Sequence, residues 1–184
     1  MTVNTSPLER GSQWRQWDLH VHTPASFHWN SKRFDPDLGS KVNADLLDEM
    51  IAALNAAEPA VFALMDYWTF DGWFALKRRL AEPGAPKLEK TVFPGIELRL
   101  AAPTTCRLNA HVVFSNEISD QDLRDFMSAL TVEIVERPLS PTSLIGLARN
   151  VGEDKLKIHG FKKADVDGDE GQALIAGSKM AEIN

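Results

Sequence analysis

Short apolar runs alternate with helical stretches through the first 130 residues, and this alternation constrains the fold more than any other feature. Residues 17–21 (WDLHV) alternate side chains as a short strand does, and the polar stretch after them reads as a long loop to about residue 42. A helix is expected from a cap at Asn43 to Ala57, with Leu46, Leu47, Met50, Ile51 and Leu54 on one face and Pro59 blocking its continuation. Residues 60–65 (AVFALM) form the compact apolar run that buried parallel strands show. Asp71 then caps a helix to about Ala81. Pro94 and Gly95 read as a turn between strands at 91–93 and 96–100, residues 110–114 as a further strand, and Ser119 with Asp122 as the start of a helix to about Leu130. About four strands separated by helices predict an α/β fold on a mainly parallel sheet or barrel.

Beyond Thr131 the pattern weakens to one short apolar run, a helix at 143–150 and a charged stretch at 152–171. The last residues, GQALIAGSKMAEIN, carry no stop signal. Residues 1–12 are polar, with Pro7 and Gly11, and are expected to form a loose leader before one domain at 13–184. The 184 residues, 43% of them hydrophobic, suffice for one sizeable core.

Several function classes drop out on charge and composition. Twenty basic residues against twenty-six acidic ones give a net charge of -6, so a nucleic-acid substrate would need a local site to recruit it. The single cysteine, Cys106, excludes an intramolecular disulfide and a Cys-rich zinc module, as expected of an ordinary reduced residue. No apolar run approaches the roughly 20 residues of a membrane span, and the N-terminus lacks a signal peptide's apolar core, so a cytoplasmic protein with no membrane partner is expected. The run Asp165-Val-Asp167-Gly-Asp169 fails as a calcium loop, because its glycine is misplaced and Ala176 stands where a bidentate Glu is required; it reads as a solvated acidic loop.

Chemistry concentrates in Asp18-Leu-His20-Val-His22. A strand's period of two puts these three polar side chains on one face. Two imidazoles so spaced can grip a divalent metal, and Asp18 behind them can accept a ring N–H and fix a tautomer. Paired histidines lining a polar strand face remain the alternative.

The surrounding string DLHVHTPAS resembles the opening motif, DLHxHTxxS, of the PHP (polymerase and histidinol phosphatase) superfamily. Further motifs follow in order: Leu64-Met-Asp66-Tyr67 with Asp71-Gly72, then Pro94-Gly-Ile-Glu97, then His111 after Asn109-Ala110. The resemblance implies a distorted PHP-type (β/α) barrel with its site at the C-terminal strand ends, and metal-dependent hydrolysis of a phosphodiester or phosphomonoester, with nucleic acid among the candidate substrates. It implies His20 and His22 as ligands of a first metal, His28 as a ligand of a second, Glu97 as a bridging carboxylate and His111 as a further ligand. Two or three divalent ions, Zn, Mn or Fe, suit so imidazole-rich a set. Asp66 is expected to orient a histidine, bind metal or hydrogen-bond a loop. Arg99, two positions after Glu97 on the same strand face, suits either a substrate phosphate or an ion pair with Glu97 or Asp18.

Two departures qualify the resemblance. The second motif usually reads Asp-His and here reads Asp66-Tyr67, which removes a nitrogen ligand, and no late Asp-x-His follows. Either His159 substitutes or the barrel is truncated at its C-terminal end. RGSQWRQWDLHVHTPAS, the Asp66-Tyr67 variant and NAHVVFS are most similar to the N-terminal PHP domain of TrlF-type proteins, over roughly residues 10–180. There the domain precedes an ABC/SMC-like (AAA-type) ATPase, and no GxxxxGK[ST] loop occurs in this sequence. A catalytically inactive PHP remnant with a structural or regulatory role is the rival reading. An amidohydrolase-like hydrolase, the third, would need a metal-bridging Lys and more histidines than remain. Trp14, Trp17, Trp29, Trp68 and Trp73 cluster near the motif loops, for packing or for base stacking.

Overall fold

A computed structural model of the chain describes residues 14–27, 29–35, 37, 39–103 and 106–184. The expected leader at 1–12 and the expected ligand His28 lie outside the described residues. The elements run β1 (Trp17–Val21), α1 (Lys41–Ala56), β2 (Val61–Tyr67), α2 (Asp71–Ala81), β3 (Thr91–Leu100), β4 (Leu108–Val113), α3 (Asp120–Ala129), β5 (Thr131–Val132), β6 (Arg137–Pro138), α4 (Pro141–Asn150), α5 (Glu153–Ile158), α6 (Lys163–Gly168) and α7 (Glu170–Met180). The fold is mixed α/β, as the alternation predicts, with a four-stranded sheet curled as half a barrel. Among the described residues no helix is long and apolar enough to cross a membrane.

Sheet order follows chain order, β1-β2-β3-β4. β1, β2 and β3 are parallel because α1 and α2 carry the chain back between them, whereas β4 runs antiparallel to β3 because only a short loop joins the two. All seven residues of β2 are buried, which is what the unbroken run VFALMDY demands of a central strand. The β1–β2 register slips between Asp18 and Val21, and this irregularity falls at His20.

Four expectations need correction. α1 begins two residues earlier than expected and is capped by Ser40, whose side chain accepts from the Asn43 N–H. Asn43 is buried instead, donating to the Asp35 and Asp37 carbonyls and accepting from the Asp35 N–H, so it ties down the preceding loop. Pro94-Gly95 is no turn: β3 runs straight through it, the Pro94 carbonyl accepts from the Phe114 N–H at 2.9 Å, and a Cβ on Gly95 would stand 2.7 Å from the Met65 methyl. Gly95 is there for close strand packing. Asp18 accepts the His20 backbone N–H at 3.1 Å rather than a ring N–H. The charged stretch 152–171 holds α5 and α6 rather than a loop, and Asp169 caps α7 by accepting from the Gln172 N–H.

Behind the sheet the buried apolar side chains form one cluster reaching from Leu47 on α1 to Ile183. α4 and α7 meet backbone to backbone at Gly177, where an added Cβ would lie 2.0 Å from the Leu144 carbonyl oxygen. The C-terminal residues then tie back: Ile183 N–H donates to the Arg99 carbonyl at 2.9 Å, and Ala101 N–H donates to the Ile183 carbonyl at 2.8 Å.

Candidate metal centre

The C-terminal half of β3 places Glu97 between β2 and β4, with Tyr67 as its partner in one register and His111 in the other. The end of β1 brings His20 and His22 to the same carboxylate. His20 Nε2 lies 2.9 Å from Glu97 Oε2, His22 Nε2 lies 3.7 Å from that oxygen, and His111 Nε2 lies 3.7 Å from Oε1. His20 faces His22 and His111 at ring centroid separations of 5.0 and 4.4 Å. The candidate ligand atoms of His20, His22 and Glu97 all lie within 4.8 Å of one another. Metal bonds of about 2.0–2.1 Å put adjacent donors about 2.9–3.4 Å apart in octahedral or tetrahedral geometry, so a divalent ion fits this donor set after small side-chain adjustments.

Glu97 itself is 2% exposed. Its Oε1 accepts from the Tyr67 hydroxyl and, at 2.8 Å, from Asn109 Nδ2. Burial pushes its pKa up, but hydrogen bonds from Tyr67 and His20, with the nearby charges of His20 and His111, outweigh burial and hold the carboxyl below its usual range. An anionic oxygen thus waits among three imidazoles. Burial and the bond to Glu97 raise the Tyr67 pKa, so this hydroxyl keeps its proton and donates it. The residue that removes a nitrogen ligand from the second motif therefore orients the carboxylate instead.

No protein-family model matches this chain, and no curated protein matches it.

Asp66, 2% exposed, takes the loop-bonding role among those open to it. Its Oδ1 accepts from the Thr23 N–H at 2.7 Å and its Oδ2 from the Thr23 hydroxyl at 2.6 Å, while His22 Nδ1 stands 4.0 Å away. Burial pushes its pKa up to about 6, against the opposing pull of the two Thr23 hydrogen bonds, with Asp71 adding to the rise. This pair pins the segment that follows His22. Gly72 packs directly beneath it, since a Cβ there would stand 2.1 Å from Thr23 Oγ1 and 2.4 Å from Asp66 Oδ2. Gly72→Ala is expected to break the pair, destabilising the fold by about 1–3 kcal/mol and weakening metal binding about tenfold. Thermal unfolding and metal titration of the variant check both effects.

Arg99 lies on the expected face but is 5% exposed. Its Nη1 donates to the Ser178 and Lys179 carbonyls at 2.7 and 3.0 Å, and its guanidinium lies 4.7 Å over the Tyr67 ring. Among the described residues it pairs with neither Glu97 nor Asp18 within 4.0 Å. Its visible work is to fasten the end of α7 beneath the centre. His159 stands apart from the histidine cluster, half-buried at the end of α5 and in contact with Arg107. Trp68 and Trp73 are packed in the core, and Trp68 Nε1 donates to the Ser178 carbonyl at 2.9 Å, which anchors a residue held at a φ of 64°.

Three supporting residues escape sequence reasoning: Thr23, Asn109 and Tyr67 as a donor. Asn109 carried a usable signal, because it sits two positions before His111 and so shares its strand face.

Proposed function

We propose that His20, His22, Glu97 and His111 hold one or more divalent metal ions, and that the protein is a PHP-type metal-dependent phosphoesterase. The convergence of three imidazoles on one buried, anionic carboxylate carries this reading. When bound, such an ion, Zn, Mn or Fe, supplies Lewis acidity that polarises a phosphoryl oxygen and makes water a nucleophile near neutral pH. The chain's own residues hold and aim. Tyr67 and Asn109 fix Glu97, leaving Oε2 towards His20 and His22. Asp66 and Thr23 fix the turn after His22, and Arg99 holds α7 against the ring of Tyr67. A cavity of about 380 Å³ bordered by His22, Val21, Trp29, Leu46 and Met50 offers mainly apolar walls to the organic part of an ester. The likeness to TrlF-type proteins adds an ATPase as the natural partner domain.

A regulatory remnant is favoured by one observation: among the described residues the compact ligand group comprises only His20, His22 and Glu97. Metal analysis of the purified protein, with hydrolysis of bis(4-nitrophenyl) phosphate, separates the readings. We expect at least one tightly held divalent ion per chain, lost in His20→Ala/His22→Ala together with hydrolysis. Equal metal content in the double variant would eliminate the centre, and metal without hydrolysis would favour the remnant.

A further inference from the structure

Cations gather at the far end of β4 although the chain as a whole is acidic. Arg107 immediately precedes β4, and its Nη2 approaches His159 Nε2 at 3.2 Å and Nδ1 at 3.5 Å. Lys155 is four positions before His159 on α5, so both project from one side of that helix. Lys179, near the end of α7, reaches over the Phe161 ring at 5.2 Å from its centroid, while its carbonyl accepts from Arg99. Arg107 and Lys155 are exposed. Among the described residues none of Arg107, Lys155 and Lys179 forms an ion pair with a carboxylate, whereas Lys157 and Lys163 nearby do. Like charges held together without a counter-ion repel, and an anion settling among them removes that cost.

We propose that Arg107, Lys155 and Lys179, gathered around His159, form a second anion site that holds a backbone phosphate of an extended phosphodiester chain whose scissile bond lies at the Glu97 centre. The inference rests on the phosphoesterase reading and narrows its substrate to a nucleic-acid strand. β4 links the two places. Arg107, Asn109 and His111 alternate along one edge, and His111 sits opposite Glu97. Four residues of extended chain span at most about 14 Å, too far for a monophosphate to bridge and suited to a strand that carries successive phosphates. The charges that bear most on His159 are those of Arg107, Lys155, Arg99 and Lys179, and together with burial they lower its pKa, so the imidazole is poised as a neutral hydrogen-bonding group within the patch.

Binding is tested on the full chain in excess chelator, so that the metal centre takes no part, by the anisotropy of a short fluorescent oligothymidylate across a salt series. The wild-type chain should bind, and Arg107→Glu/Lys155→Glu should bind more weakly by about tenfold or more, with the slope of log K against log salt smaller by about 1.4, for two phosphate contacts at about 0.7 each. Lys179→Glu, on a separate helix, should move both readouts in the same direction. Equal binding by wild type and charge-reversed chains would overturn the site. So would competition by inorganic phosphate or polyglutamate as effective as that of unlabelled oligonucleotide. Failure here leaves metal content untouched, so it is distinguishable from failure of the metal centre.

Discussion

Glutamine at position 97 is expected to strip the centre of its metal and leave the chain folded. The two donors that fix the side chain, the Tyr67 hydroxyl and Asn109 Nδ2, both point at Oε1, and a glutamine carbonyl accepts from both. The new amide would then take the place of Oε2 and face His20 Nε2, where its N–H can donate to an unprotonated ring nitrogen. Packing is thereby conserved while the only carboxylate of the compact ligand group is lost. Disturbing a group that merely supports a ligand costs about 10–100-fold in metal affinity, so removing the anionic ligand itself should cost more than about 100-fold and abolish phosphodiester hydrolysis. Tyr67→Phe provides the graded comparison, with an expected loss of about 10–100-fold because one donor to Glu97 disappears while the ligand stays. Calorimetric titration with Zn or Mn beside thermal unfolding decides it. A Glu97→Gln chain that melts like wild type and binds metal equally well would remove Glu97 from the centre.

What the sequence made legible follows from which forces are local. β1 was readable to the residue, because a strand's alternation and the loop after it are written in adjacent side chains. α3 and its Ser119 cap were readable for the same reason, since a cap needs only its own turn. Asn43 was misassigned as a cap because Ser40 competes for that role, and only the folded loop at 35–37 gives the amide its other partners. Pro94-Gly95 carries a local turn signal that tertiary packing overrides: Met65 presses on Gly95, and pairing with β2 and β4 keeps the backbone extended. The acidic run 165–169 hid α6, whose only buried apolar residue is Val166. At the site, histidines and Glu97 announce themselves by residue type, whereas Tyr67 acquires its role only from lying opposite Glu97 across two strands. Arg99 was legible as to face but not as to partner, because its acceptors are backbone carbonyls 79 and 80 residues away in sequence.

Those carbonyls make the α4–α7 contact the second place where one small change should have a large effect. A helix-interior glycine replaced by alanine ordinarily gains about 0.5–1 kcal/mol, because the unfolded chain loses freedom. Gly146 on α4 meets that condition, with nothing within 4 Å of an added Cβ, and Gly146→Ala should raise the melting temperature by about 1–4 °C. Gly177 on α7 reverses the sign. Its Cβ would stand 2.0 Å from the Leu144 carbonyl oxygen and 2.5 Å from the carbonyl carbon, and these are backbone atoms that no rotamer change can move aside. α4 and α7 must separate by about 1 Å or more, loosening the contacts of Leu144, Leu147, Ala173 and Ala176 together. An overpacking cost of about 3 kcal/mol is expected for Gly177→Ala, a fall of about 6–12 °C in Tm for a chain of this size. The displacement also carries the Ser178 and Lys179 carbonyls away from Arg99 and Trp68, so metal affinity should fall although no ligand has been touched. Differential scanning calorimetry of Gly146→Ala and Gly177→Ala side by side tests the argument, and destabilisation of equal size at both positions would refute the close contact as its cause.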